Sequence, residues 1–431
     1  MHRAFRGSIF HCIDDPGAAG DPNVCEYFDD GLLIVRDGIV AAAGDADALL
    51  QSLEPDVRIE DFSGKIIVPG LIDCHVHFAQ LDIIASYGAQ LLDWLNRYAY
   101  VEERRFAVRE HAAAVANAFL DELLKNGTTS ALVFATVFPQ SADAFFEAAA
   151  ERGMRLIAGK VLMDRNCPDE LCDDAESAYH DSEALIERWH GHGRLGYAIT
   201  PRFALTSTAE QLEAAGRLAA DYPDTWVHTH LAENTDEVAE ISRLFPDRRS
   251  YLEVYDHFGL LRERSVFAHC LHLDTDDRAL MAARGGSVAF CPTSNLFLGS
   301  GLFDLQSMTE AGVRVGLATD VGGGTSLSML RTMSEAYKVL QLGQQTLPAS
   351  RALYLATLGA ARALHLDDHI GNFAIGKEAD FIVVDPEGSS LAARRAAATT
   401  SIEELLFSLI FLGDDRHIAA TFLQGSAVRP V

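Results

Sequence analysis

The chain has 431 residues, of which 62 are acidic and 35 basic, giving a formal net charge of −27, and 48% are hydrophobic. That much apolar material supports one large domain or a barrel with an appendage, and it excludes a disordered or fibrous chain. The acidic excess would repel a phosphate backbone or an anionic bilayer, so nucleic acid and membrane are not expected partners and a small neutral or cationic ligand is.

The first residues, MHRAFRGSIFHCIDDPG, lack the apolar core of a secretory signal, and no later stretch reaches the roughly 18 apolar residues needed to span a bilayer, so a cytoplasmic protein is expected. The seven cysteines (Cys12, Cys25, Cys74, Cys167, Cys172, Cys270 and Cys291) are an odd number spread over a long chain. Free, reduced, mostly buried thiols are expected rather than a disulfide framework.

Residues 1–65 hold short strand-like pieces with turn signals, GLLIVRDGIVAAAG at 31–44 being the clearest. From residue 66 onward, runs rich in Val, Ile and Ala alternate with longer amphipathic stretches. The eight runs cover 66–78, 128–136, 155–164, 194–203, 226–233, 265–273, 286–295 and 313–320. Helix-period text separates them, as in AVREHAAAVANAFLDELLKNG at 107–127, which ends on a glycine cap. Eight βα units predict a distorted (β/α)8 barrel, an α/β fold, over 66–375, with helices at 326–343 and 348–366 closing that portion. The tail, 376–431, returns to the texture of the first 65 residues in GKEADFIVVD and AATFLQGSAV. Both ends together predict one small β-sandwich domain.

The barrel runs end on chemistry. PGLIDCHVHFAQ at 69–80 sets His75 and His77 one residue apart, and side chains at i and i+2 of a strand point to the same side. Barrel active sites lie at the C-terminal strand ends, and there the fifth run carries His230 and Glu233, the sixth His269, and the eighth closes on Asp320. Several N and O donors from separate strands, with a position left for water, describe a catalytic zinc site: His75, His77, His230, His269 and Asp320 are the candidate ligands. A lone strand histidine is more often a hydrogen-bonded core residue, and that is the reading for His228, His257 and His365. His272 competes with His269, which sits nearer the expected strand end. Cys74 faces away from the histidine pair and reads as packing.

PGLIDCHVHFAQ, ITPRF, WVHTHLAEN, VFAHCLHL, CPTSNLFLGSG and ATDVGGGTSLSML, in this order, resemble the amidohydrolase superfamily and, within it, the guanine deaminases along the whole chain. The His-x-His element alone is weak for substrate. Gln80, the Arg202-Phe203 pair and His230-x-x-Glu233 are more specific. The resemblance implies a homodimeric enzyme of purine catabolism and salvage that uses one zinc ion per chain and water to convert guanine to xanthine and ammonia. In that chemistry Asp320 takes the water's proton, Glu233 shuttles protons to a ring nitrogen and the leaving amino group, and His269 either ligates the metal or orients its water. A guanidinium matches the adjacent O6 and N7 acceptors of guanine, which makes Arg202 the candidate base reader. Phe203 would stack on the purine and Gln80 would meet its other edge, with His230 and Glu233 also against the substrate.

Other readings are a deaminase or ring amidase on the same scaffold and a catalytically silent scaffold protein. Binuclear relatives bridge two metals with a carboxylated lysine at the end of the fourth strand. Here that strand ends Thr200-Pro201-Arg202-Phe203, and Lys160 lies within the third run, which favours one metal. The unrelated small deaminase fold, marked by H-x-E and P-C-x-x-C, has neither motif in this chain.

Overall fold

The computed structural model describes residues 2–88 and 90–429. The strands, in chain order, are β1 (His2–Cys12), β2 (Cys25–Arg36), β3 (Ile39–Asp45), β4 (Arg58–Pro69), β5 (Leu71–His77), β6 (Thr128–Phe134), β7 (Arg155–Gly159), β8 (Val161–Leu162), β9 (Gly196–Pro201), β10 (Trp226–Leu231), β11 (Ser265–His269), β12 (Ser287–Phe290), β13 (Arg314–Leu317), β14 (Phe381–Val384), β15 (Ile418–Leu423) and β16 (Ser426–Arg429). They form two sheets. By compactness the chain divides into one unit of Met1–Asp73, Glu122–Ser130 and Leu327–Val431, and another of Cys74–Asp121 and Ala131–Ser326.

The chain ends build a seven-stranded sheet in the order β16-β15-β14-β4-β1-β2-β3. β1 and β15 stand three places apart in it, which in a flat sheet would separate them by about 14 Å. The rings of Phe5 on β1 and Phe422 on β15 are nevertheless 5.0 Å apart, and Phe62 and Phe381 join them. The sheet therefore curls over itself around an aromatic core, so its two halves face each other as the expected sandwich layers would.

The second sheet is parallel, ordered β13-β12-β11-β10-β9-β7-β6-β5, with β8 continuing beside β9. Its strands read as continuous apolar runs because both faces are covered: every residue of β5 and β6 is buried. Past β13, the Asp320 amide donates to the His75 carbonyl at 2.9 Å, and the His77 amide donates to the Val321 carbonyl at 2.8 Å. These bonds bring the last run back to the first strand and nearly close the barrel.

Three expectations need correcting. The run 66–78 is two strands: residues up to Pro69 belong to the chain-end sheet, pairing with β14, and the chain changes sheet at Gly70. A Cβ there would lie 2.1 Å from Thr129 Oγ1, so only glycine allows the approach. Second, Cys167 and Cys172 are joined as a disulfide, with Cα atoms 6.2 Å apart, instead of being free thiols. A 3-10 turn at Asp169–Leu171 folds the loop back so that the two Cβ vectors meet. The other five cysteines are in no disulfide, and four of them are buried. His257, read as a core residue, is exposed at the end of its helix, and His365 is half-buried.

Candidate active site

Strand alternation places the first four histidines. His75 and His77 lie on β5, and His228 and His230 repeat the i, i+2 spacing on β10, so each pair shares a side of its strand. His269 ends β11 with φ 73°, and Asp320 follows β13 with φ 52°. A left-handed backbone at a non-glycine residue costs about 1 kcal/mol and persists only where the surroundings fix it. Asp320 is fixed by its bond to the His75 carbonyl, and the next residue after His269 by the bond from the Cys270 amide to Leu231. The glycines that follow Asp320 let the chain pass tightly. A Cβ at Gly324 would sit 1.8 Å from the Thr319 carbonyl oxygen.

The Nε2 atoms of His75 and His77 are 3.2 Å apart, and those of His77 and His230 are 3.3 Å apart. Asp320 Oδ1 lies 3.1 Å from His75 Nε2 and 3.5 Å from His77 Nε2. Donors held about 2.0–2.1 Å from one zinc ion at tetrahedral angles lie about 3.4 Å from each other, so these spacings are those of a common coordination sphere. His75, His230, His269 and Asp320 also form a group whose donor atoms all fall within 4.8 Å of one another and could hold a metal ion. Burial depresses the pKa of His75 and of His230 to about 3, and pushes His77 and His269 well below the usual imidazole range. All four are therefore neutral, the form that ligates.

The far ring nitrogens separate these histidines into two kinds. His230 Nδ1 donates to the Arg202 carbonyl at 2.6 Å, which leaves an Nε2 lone pair facing the cluster. His75 Nδ1 meets His228 Nε2 at 2.7 Å and can donate in the same way. At His269 the far partner is the Asn295 amide nitrogen, 2.9 Å from Nδ1. With the amide in this orientation its nitrogen donates to His269 Nδ1, which would put the ring proton on Nε2 and leaves Asn295 Oδ1 buried with no hydrogen-bond partner. His269 Nε2 has no hydrogen-bond partner and is 3.4 Å from Glu233 Oε2 and 3.7 Å from Asp320 Oδ2.

A cavity opens beside the cluster, lined among others by His77, Gln80, Arg202, Phe203, His230, Glu233, His269 and Asp320. The structure thus gathers all the expected site residues except His75 on one wall, and His75 stands directly behind it. Glu233 is buried and accepts from the Ser300 hydroxyl at 2.9 Å. Burial, then the charges of Asp320 and Glu237, raise its pKa well above the usual carboxylate range, as proton transfer near neutral pH requires. Phe203 packs edge-on to His230, with ring centroids 6.2 Å apart. Lys160 is buried and paired with Asp173, and is not among the residues of the cluster or the cavity wall. His272 is exposed.

Several participants escape a sequence reading. Glu103 receives Arg202 and Gln80, Asn295 and Ser300 hold His269 and Glu233, and Leu91, Trp94, Leu95 and Leu298 complete the cavity wall. Only His228 left a signal, its i, i+2 spacing to His230.

A model of the amidohydrolase family matches residues 66–428. The chain belongs to the amidohydrolase family. This amidohydrolase is 49% identical over 429 residues to guanine deaminase of Escherichia coli K12, a match covering 99% of this chain and 97% of that protein. It is 40% identical over 433 residues to a probable guanine deaminase of Deinococcus radiodurans, covering 99% and 98%. The solved structure of the E. coli enzyme superposes with a TM-score of 0.97 over 99% of both chains. A guanine deaminase from C. acetobutylicum, solved with guanine in its active site, is 28% identical and superposes with a TM-score of 0.90 over the full length of both.

Proposed function

We propose that this amidohydrolase catalyses the hydrolytic deamination of guanine to xanthine and ammonia, using one zinc ion held by His75, His77, His230 and Asp320. The observation that carries the reading is Glu233. A carboxyl group whose pKa is raised by burial lies 3.4 Å from His269 Nε2, in a cavity that Arg202 also lines. Similarity to guanine deaminases, one of them solved with guanine bound, supports the choice of base.

When bound, the zinc ion supplies Lewis acidity, which makes water a competent nucleophile near neutral pH. Asp320 accepts a proton as the water's oxygen adds to C2 of the purine. His269 orients that water through its Nε2–H, and does not ligate. Glu233 gives its proton to N3, takes the remaining proton of the added oxygen and passes it to the amino group on C2, and Asp320 returns its proton to Glu233, so N3–H and ammonia account for both water protons and each carboxyl is restored. Arg202 meets O6 and N7 of the base, Phe203 flanks its ring, and Gln80 supports its other edge. Adenine presents an amino donor where guanine presents O6, so the same guanidinium rejects it. The setting we propose is a cytoplasmic homodimer serving purine catabolism and salvage. Among the described residues no helix is long and apolar enough to cross a membrane.

The test follows ultraviolet absorbance of zinc-loaded protein with guanine, adenine and a panel of oxopurines and pterins. Rapid loss of guanine and near-inert adenine are expected, and an enzyme inert toward guanine overturns the reading. Plasma emission on dialysed protein is expected to find about one zinc per chain, and two tightly held metals would sink the mononuclear assignment.

A further inference from the structure

The carboxylate of Glu103 sits 1% exposed behind the cavity wall and is not part of the lining. Both its oxygens accept from one guanidinium nitrogen: Arg202 Nη1 lies 2.9 Å from Oε1 and 2.8 Å from Oε2. Oε1 also accepts from Gln80 Nε2 at 2.9 Å, and Gln80 Oε1 accepts from the Gly322 amide at 3.1 Å, two residues past Asp320. Tyr100, one helical turn before Glu103, lies under the guanidinium with its ring centre 5.3 Å from the Arg202 Cζ. Arg202 and Gln80, the two polar groups on the base-reading wall, are thus joined through a single buried carboxylate.

Two consequences follow from this arrangement. With Nη1 held by both Glu103 oxygens, turning the guanidinium about its stem would break those contacts, so Glu103 fixes the orientation of the fork. The pair is also neutral overall. A buried guanidinium without a counter-ion would draw anions, whereas the Arg202–Glu103 pair offers oriented N–H groups with no net charge.

We propose that Glu103 is a positioning and charge-balancing residue: it aims Arg202 and Gln80 at the base and cancels the guanidinium's charge, so that the cavity holds neutral guanine and releases its more acidic oxopurine product. This rests on the guanine reading of the site. Xanthine carries a second carbonyl beside N3, which makes it a stronger acid than guanine. An uncompensated Arg202 would therefore retain the product as an anion.

Glu103→Gln preserves shape and removes the charge, and urate serves as an anionic oxopurine probe. The expected result is a rise in KM for guanine and a tightening of urate inhibition, each on the order of 10-fold, with kcat changed much less and with zinc content and circular dichroism unchanged. A variant whose guanine KM and urate inhibition both match wild type overturns the proposal, as does weaker urate inhibition. If Glu103→Gln does not fold, Glu103→Asp keeps the charge while shortening the reach. It should raise KM without tightening urate inhibition, and a wild-type KM there overturns the aiming role. Wild-type protein inert toward guanine would instead bring down the functional reading beneath the proposal.

Discussion

His75 Nδ1 lies 2.7 Å from Nε2 of His228, one strand histidine bonded to another. Burial keeps His228 neutral, so its Nε2 can accept the His75 proton and leave the His75 Nε2 lone pair aimed at Asp320 and His77. His228 is therefore a core histidine with one specific task. Replacing it by alanine should weaken zinc affinity by about 10-fold to 100-fold, the usual effect of losing a ligand's orienting partner. Chelator competition on purified protein measures this. Unchanged affinity would mean packing alone orients His75.

Asn295 acts in the opposite sense on His269. Asn295→Asp replaces the donating amide with an acceptor, which pulls the His269 proton to Nδ1 and turns Nε2 into a lone pair. Turnover should fall by about 10²-fold or more, since a water-orienting donor is lost, while the protein still binds zinc. A variant with wild-type kcat would show that His269 does not donate through Nε2.

Glu233→Gln retains size and the bond from Ser300 but cannot cycle protons. Zinc and guanine binding should persist while kcat drops by about 10²-fold to 10⁴-fold, typical for removal of a general acid or base. Isothermal titration with guanine alongside steady-state rates separates the two effects. Loss of guanine binding in parallel with kcat would assign Glu233 a binding role.

Glu237 supports Glu233 from below: its Oε2 accepts from the Glu233 amide at 3.0 Å and the Asn234 amide at 3.2 Å. Burial outweighs these bonds and pushes its pKa up from 4.5 to about 7. The folded state then holds this proton more tightly than the unfolded one, so its contribution to stability falls as pH rises from 4.5 through about 7. The full swing is on the order of 3 kcal/mol. Thermal melts at about pH 5 and about pH 8 should show wild type losing stability relative to Glu237→Gln as pH rises. A constant difference between the two proteins would contradict the buried, protonated carboxyl.

The sequence by itself determined which strands would carry the site and which side of them would face it. Periodicity of two is a local property, so His75 and His77 could be paired from text alone, and the apolar runs marked where each of the other strands would end. The same locality explains what was misjudged. The run at 66–78 looks uniform because nothing in its apolar content reveals that Gly70 must pass Thr129 and change sheets. Cys167 and Cys172 face each other only because a short turn folds their loop.

Arg202 is the clearest case of what only tertiary structure decided. The sequence offers it as a base reader, and the structure makes it half of a buried ion pair as well: it lines the cavity and pairs with Glu103 at once. Glu103 lies 99 positions away, in a helical segment whose text, YVEERRF, gives no reason to bury both glutamates and leave the neighbouring arginines outside. The tautomers of the cluster histidines were also beyond the sequence. A ring nitrogen's role depends on whether its partner donates or accepts, and His228, the Arg202 carbonyl and Asn295 reach those rings only when the barrel closes.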